Sequence, residues 1–244
     1  MLKGKIHFEA DVLQGSITFE EFAFPLPGPQ TLEAAVVCRV FERVTGWIRV
    51  ESVASDESGA ALAEVCFESL LDRLAFFHGM AIEKARRSGA ELEPMSPPIG
   101  ERLITVSTDI HIRTNRPTVR RTLTSTDLTQ VAKITPSRGE YFSLYRSALQ
   151  STSLVEEYMH LYVILLTVFN DSQRNVDEHV RKVEPRVGQS RSPKTGAMET
   201  DYTRLRNELA HRREGVDLKS TKAEILNNLA GLREVVRRAL IEPT

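Results

Sequence analysis

Residues 203–213 read "TRLRNELAHRR" and run on into Glu214-Gly215. The stretch is rich in helix formers and Gly215 supplies a stop, so it predicts a helix ending near that glycine. At roughly 100° per residue, Tyr202, Leu205 and Leu209 cluster within about 60° of one another as an apolar stripe. On the same wheel His211 falls opposite the stripe, with Asn207 one turn before it and Arg204 two turns before. Arg206 lies on the flank, where its long stem reaches either side. A histidine turned away from its own core leaves three roles: simple exposure, an intermolecular contact, or a favourable position at the negative end of the helix dipole.

Apolar periodicity extends outward from this helix on both sides. From Pro136 onward three segments place a hydroxyl residue three positions before a glutamate: Ser137 and Glu140, Ser153 and Glu156, Thr221 and Glu224. Each fits a capping box, in which hydroxyl and carboxylate satisfy orphan backbone N–H groups. Phe142, Tyr145 and Leu149 mark a first helix, and Leu154, Tyr158, Leu161, Leu165 and Phe169 a second. The quoted helix, starting near Glu199, is the third. Ile225, Leu229, Leu232, Val236 and Leu240 line a fourth. The spacing therefore predicts an all-α four-helix bundle over 136–244. Between the second and third helices, "NDSQRNVDEHVRKVEPRVGQSRSPKTGAM" (170–198) reads as a long polar linker. From Arg174 to Arg213 the chain has ten Lys or Arg against six Asp or Glu, a local basic surplus. Loop solvation or a phosphate-binding surface would each account for it.

Residues 1–135 predict a separate α+β domain whose purpose the sequence leaves unassigned. "LEAAVVCRVFERVTGWIRVESV" (32–53) is β-branched and aromatic, with a strand at Trp47–Val50. Residues 58–78 repeat apolar positions at helical spacing, the prolines at 94, 97 and 98 mark a loop, and 104–114 alternates like a half-buried strand. No phosphate-cradling glycine loop and no nucleophile elbow occurs. His78 and His111 read as structural or exposed. Cys38 and Cys66 are too few for a disulfide framework or a metal site, and read as buried thiols in a reducing compartment.

The whole chain of 244 residues is 41% hydrophobic and 27% charged with a formal net charge of −1, so no global basic field announces a nucleic-acid partner. The longest apolar run, at 161–169, is too short for a bilayer, and the N-terminus has no signal-peptide core. A soluble cytoplasmic protein with no membrane partner is the expectation.

Arg206, Asn207 and His211 together suit one reaction. Imidazole exchanges a proton near neutrality, guanidinium grips phosphate through a two-pronged fork, and the amide orients either. Attack of an RNA 2′-hydroxyl on its neighbouring phosphate needs only proton transfer and charge stabilisation.

"RNELAH" on a third bundle helix resembles the R-x(4–6)-H motif of HEPN domains, in which a polar residue often follows the Arg. The wider "METDYTRLRNELAHRREGVDL" is similar to MauJ-like and ApeA-like HEPN proteins, over roughly 137–241. The resemblance implies a metal-independent endoribonuclease that leaves a 2′,3′-cyclic phosphate, uses no cofactor and acts as a homodimer with one composite Arg/His site. His211 would be the general acid/base, Arg206 the phosphate clamp and Asn207 the orienting amide, with Arg204, Arg212 and Arg213 as further RNA-phosphate contacts. Toxin, stress-response and antiviral-defence settings follow from the same resemblance, and a regulatory protein partner is compatible with it. Arg213 stands where some antitoxin-modified relatives have Tyr.

Two other classes compete. A non-catalytic HEPN interaction or dimerisation module would keep the fold without the chemistry. A di-iron carboxylate bundle would use Glu157-x-x-His160 and Glu208-x-x-His211 with Glu140 and Glu224 or Glu234, although these residues do not all point inward on the wheel.

Overall fold

The computed structural model describes residues 1–14, 16–25, 33–40, 43–95, 120–122, 139–211 and 217–241. The chain divides into two compact units, Met1–Ile134 and Thr135–Thr244. The strand expected over 104–114, with His111, lies outside the described residues, as do Ser137, Arg212 and Arg213.

Alternation builds the first unit. In β1 (Leu2–Gln14) Ile6, Phe8, Ala10 and Val12 are buried, while Lys5, Glu9 and Asp11 occupy the opposite face. Strand β1 pairs antiparallel with β4 (Arg43–Val53), setting Ile6 opposite Ile48 and Ala10 opposite Val44. From β4 the sheet continues through β3 (Glu33–Val40) and β2 (Ser16–Pro25) to a parallel β7 (Arg120–Thr122). The other side of β1 takes β5 (Ala81–Ile82) and β6 (Arg86–Pro94). Helix α1 (Asp56–His78) covers the apolar face with Phe67, Leu70, Leu71 and Leu74, and Phe67 stacks on Phe8 at 5.3 Å. Ser55 and Ser58 close a reciprocal capping box at its start, and Gly79 ends it in the left-handed region at φ 65°. Cys66 is only half-buried at the margin of this core, and burial pushes its thiol pKa up. The expected α+β character is present.

In the second unit, α2 (Phe142–Leu149) and α3 (Leu154–Val168) pack on each other, and α6 (Leu218–Ile241) packs along α3. Their apolar stripes supply the core: Tyr145, Leu149, Tyr158, Leu161, Leu165, Ile225, Leu232, Val236 and Leu240 are all buried. Ser153 caps α3 by accepting from the Glu156 N–H. At α6 the expected cap is displaced. Asp217 accepts from the N–H groups of Lys219 and Ser220, whereas Thr221 sits inside the helix and donates its hydroxyl to Glu208. Glu157, 2% exposed on α3, takes a two-pronged bond from Arg233 of α6 at 2.6 and 2.9 Å.

The region 170–198 is not a structureless linker. Asn170 and Asp171 turn the chain through the left-handed region, and Ser172 then caps α4 (Gln173–Val183). A two-stranded antiparallel hairpin follows, β8 (Gln189–Arg191) and β9 (Met198–Thr200), and leads directly into α5 (Asp201–His211), the helix of the quoted stretch. Among the described residues the unit thus contains five α-helices and a hairpin, where the sequence reading had four helices and a loop. Helical content in the C-terminal half is as expected; the connection is richer.

Gly231 on α6 shows how closely α5 and α6 approach. A Cβ there would meet the Tyr202 hydroxyl oxygen at 2.0 Å, and that hydroxyl donates to Glu184 at 2.6 Å. Helix propensity alone favours Gly231→Ala by about 1 kcal/mol. The steric conflict, with Tyr202 only 1% exposed, outweighs that gain. Gly231→Ala should lower stability by roughly 1–2 kcal/mol in urea denaturation. Pairing it with Tyr202→Phe should cost less than the two single changes added, because the second removes the oxygen in the way.

Candidate active site

Helix α5 is buried on nearly every side, although only Tyr202, Leu205 and Leu209 form its apolar stripe. Tyr202, Thr203, Leu205, Asn207 and Glu208 are all buried. Neighbours surround it: α6 and α3 on the apolar side, the hairpin and α4 on the polar side. Polar partners therefore decide how each of its chemical groups is presented.

The polar side is organised by Asp177 of α4. This carboxylate, 4% exposed, accepts from the Thr200 N–H at 3.0 Å, the Thr200 hydroxyl at 2.6 Å and the Thr203 hydroxyl at 2.7 Å. With the Thr203 proton directed at Asp177, the Tyr162 hydroxyl donates to Thr203 Oγ1 at 2.7 Å. Tyr158 donates to the Tyr202 carbonyl at 2.9 Å. Two tyrosines of α3 and one aspartate of α4 thereby fix the first turn of α5.

One turn further on, Glu199 Oε2 accepts from Asn207 Nδ2 at 3.1 Å, and Asn207 Oδ1 accepts from Arg206 Nη1 at 2.9 Å. The Arg206 guanidinium also lies 5.9 Å from the centre of the Tyr162 ring. Its Nε is buried and makes no hydrogen bond, and among the described residues Arg206 has no carboxylate partner. Arg206, Asn207, Glu199 and Asp177 all line one cleft of about 1060 Å³ in this unit. The amide thus sets the guanidinium at the cleft wall without cancelling its charge.

Two expectations from the helical wheel need correcting. Asn207 is 6% exposed, not on an open face, because the Glu199 carboxylate covers it. Arg204 is not a free cation. It bonds Glu208 at 2.8 Å, Asp201 at 3.3 Å and Glu224 of α6. Burial alone would depress this guanidinium, but the carboxylates of Glu224 and Glu208 outweigh it and hold the charge well above the usual range. Arg204 therefore ties α5 to α6 and has no fork left for RNA. A wheel weighted by apolar residues alone missed both, since buried polar pairs have no period of their own.

His211 is the last residue of α5, one turn beyond Asn207. Glu199 and Asp177 were not singled out in the sequence. The signal available was an acid just ahead of the motif helix and another beside Val176 and Val180, which are spaced as one buried helix face.

The carboxylates of the di-iron alternative are already engaged, Glu157 by Arg233 and Glu208 by Arg204 and Thr221; His160 is exposed with its Nδ1 3.1 Å from the Ser151 hydroxyl. Among the described residues no group of three or more His, Cys, Asp or Glu is placed to hold a metal ion, and no helix is long and apolar enough to cross a membrane. No protein-family model, no curated protein and no solved structure matches the chain.

The phenols supporting α5 give a pH test. Burial pushes Tyr145 up to about 12 and raises Tyr158 and Tyr162 well above the free phenol; burial and then the bond to Glu184 raise Tyr202. A raised pKa favours the neutral phenol in the fold, so this stability is complete below the free phenol's value of 10.0 and is lost as pH climbs above it. Phenolate absorbance from these residues should appear together with loss of helical circular dichroism. Full phenolate absorbance at about pH 11 with the helices intact would contradict it. Arg204→Ala, which strips the buried Glu208 of its cation, should cost about 2 kcal/mol in urea denaturation, below the usual loss for a fully buried pair because Glu224 is half-exposed.

Proposed function

We propose that this protein is a metal-independent endoribonuclease of the HEPN type, working as a dimer in which two copies of α5 contribute one composite site. The observation that supports it most is the division of labour between neighbouring arginines. Arg204 is neutralised by three carboxylates, while Arg206, two residues on, is held by an amide against a cleft with its charge uncancelled.

In this reading the Arg206 guanidinium binds the non-bridging oxygens of the scissile phosphate and stabilises the charge that builds on them. Asn207, fixed by Glu199, keeps the fork in register. His211 of one subunit takes the proton of the 2′-hydroxyl as its oxygen attacks phosphorus. His211 of the other subunit gives a proton to the 5′-oxygen as the P–O5′ bond breaks. The products are a 2′,3′-cyclic phosphate and a 5′-hydroxyl. DNA, lacking the nucleophile, is not cut. A stress or antiviral role, and a protein partner that restrains the activity, extend the same reading.

Purified protein should cleave single-stranded RNA in the presence of EDTA and leave a 2′,3′-cyclic end. Arg206→Ala and His211→Ala should each lower the rate by about 10²–10⁴-fold with the circular dichroism spectrum unchanged. Sedimentation should give a dimer. Cleavage that persists at the original rate in both variants would falsify the assignment.

A further inference from the structure

The Arg206 guanidinium is restrained from two directions, and the two act differently. At one edge Nη1 donates to Asn207 Oδ1 at 2.9 Å. A single hydrogen bond through one terminal nitrogen leaves the plane free to turn about it. The second neighbour is the ring of Tyr162 on α3, whose centre lies 5.9 Å from Arg206 Cζ. That is the outer end of useful cation–π attraction, so the contact adds little energy. What the ring supplies is a wall. Arg206 Nε is buried and makes no hydrogen bond, so no polar partner fixes the guanidinium through that nitrogen.

A wall orients its neighbour only if it stands still. Tyr162 is 1% exposed, and its hydroxyl donates to Thr203 Oγ1 at 2.7 Å. Thr203 in turn donates to Asp177 Oδ1 at 2.7 Å, and Asp177 is filled further by the Thr200 N–H and hydroxyl. The ring is therefore held at one end by the α3 backbone and at the other by a buried hydroxyl chain to α4. Thr203 and Arg206 stand three residues apart on α5 and are neighbours on its surface. The side chain that ties α3 to Thr203 thus passes beside the guanidinium one turn on. Tyr158, one turn earlier on α3, ends instead on the Tyr202 carbonyl.

We propose that Tyr162 is a positioning residue for Arg206. With Asn207 at one edge and the Tyr162 ring beside it, the guanidinium presents its remaining edge to the cleft in one orientation. The consequence for catalysis rests on the cleavage reading above; the orientation itself does not.

Two measurements on the full chain test this. The first is nuclear magnetic resonance of protein with isotope-labelled arginine, in which the Arg206 Nε–Hε signal is identified by its loss in Arg206→Gln. Tyr162→Leu, which removes the ring, should move that signal and speed its exchange with water by about tenfold or more. Tyr162→Phe, which keeps the ring, should leave it in place. So should Tyr158→Phe, which removes a bond to the α5 backbone but no wall. Reciprocally, Arg206→Gln should shift the ring signals of Tyr162 more than those of Tyr145 on α2, a comparison that stands even where Tyr162→Leu does not fold. The second measurement is RNA cleavage. Tyr162→Leu should lower kcat by about tenfold or more with KM held within about twofold, and Tyr162→Phe should keep the rate. An Arg206 signal unmoved by Tyr162→Leu, a Tyr162 ring indifferent to Arg206→Gln, or a kcat unchanged by loss of the ring would each overturn the proposal. Wild-type protein that cuts no RNA ends the nuclease reading, and the resonance measurements still decide whether Tyr162 orients Arg206.

Discussion

The C-terminal unit is organised around a buried carboxylate whose partners are all neutral. Asp177 takes three hydrogen bonds from the Thr200–Thr203 turn, and a third hydroxyl, from Tyr162, completes the chain by donating to Thr203. A carboxylate 4% exposed is costly unless its lone pairs are filled, so the arrangement is tolerable only while α3, α4 and the start of α5 keep their positions together. That mutual requirement places β9 and α5 in one register. Glu199 is thereby set next to Asn207, and Arg206 at the wall of the cleft. The presentation of the motif helix follows from the aspartate on the preceding one.

Around this point arginines divide into those that hold helices together and those that keep charge for something else. Arg233 closes on Glu157 and Arg204 on Glu208 and Glu224, so the two largest helix contacts of α6 each contain a guanidinium facing carboxylates. Such pairs do little for net stability when compared with apolar replacements, but they fix which faces meet. Arg206 and Arg181, on α5 and α4, have no such partners among the described residues. In a chain of net charge −1, Arg174, Arg181, Lys194 and Arg206 line one cleft together with the carboxylates of Asp177 and Glu199.

The apolar periods in the sequence were enough for the helices that carry their own stripe. Residues 58–78 lie within α1, Trp47–Val50 within β4, and the stripe from Ile225 to Leu240 within α6. Helix α4 escaped because "QRNVDEHVRKV" buries only Val176, Asp177 and Val180, too narrow an apolar face to stand out from a polar run. The β8–β9 hairpin escaped because each strand is only three residues long and mostly polar, leaving the Pro193–Gly196 turn as the main signal. Strand β6, "RRSGAELEP", is held by pairing with β1 and by little of its own composition. For the site, the motif named Arg206 and Asn207 as neighbours of consequence, and they do share one hydrogen bond and one cleft. What the motif could not carry was their surroundings. Glu199 and Asp177 act through hydrogen bonds made across 8 and 23–26 residues of chain, and no local period records those.

Burial of α5 on almost all sides limits how it can take part in any reaction. Its apolar side is taken by α3 and α6, Arg204 is locked, and Asn207 is covered by Glu199. What opens on the cleft is the Arg206 flank. In the cleft a substrate would meet Arg206 as the only cation from α5, with the hairpin as the other wall, and not a broad helical face. In the proposed nuclease the second general acid or base is written as coming from another copy of the chain. The same restriction gives the hairpin its importance: its residues are what turn an arginine at a wall into a space with a shape, and so into a surface able to choose what it holds.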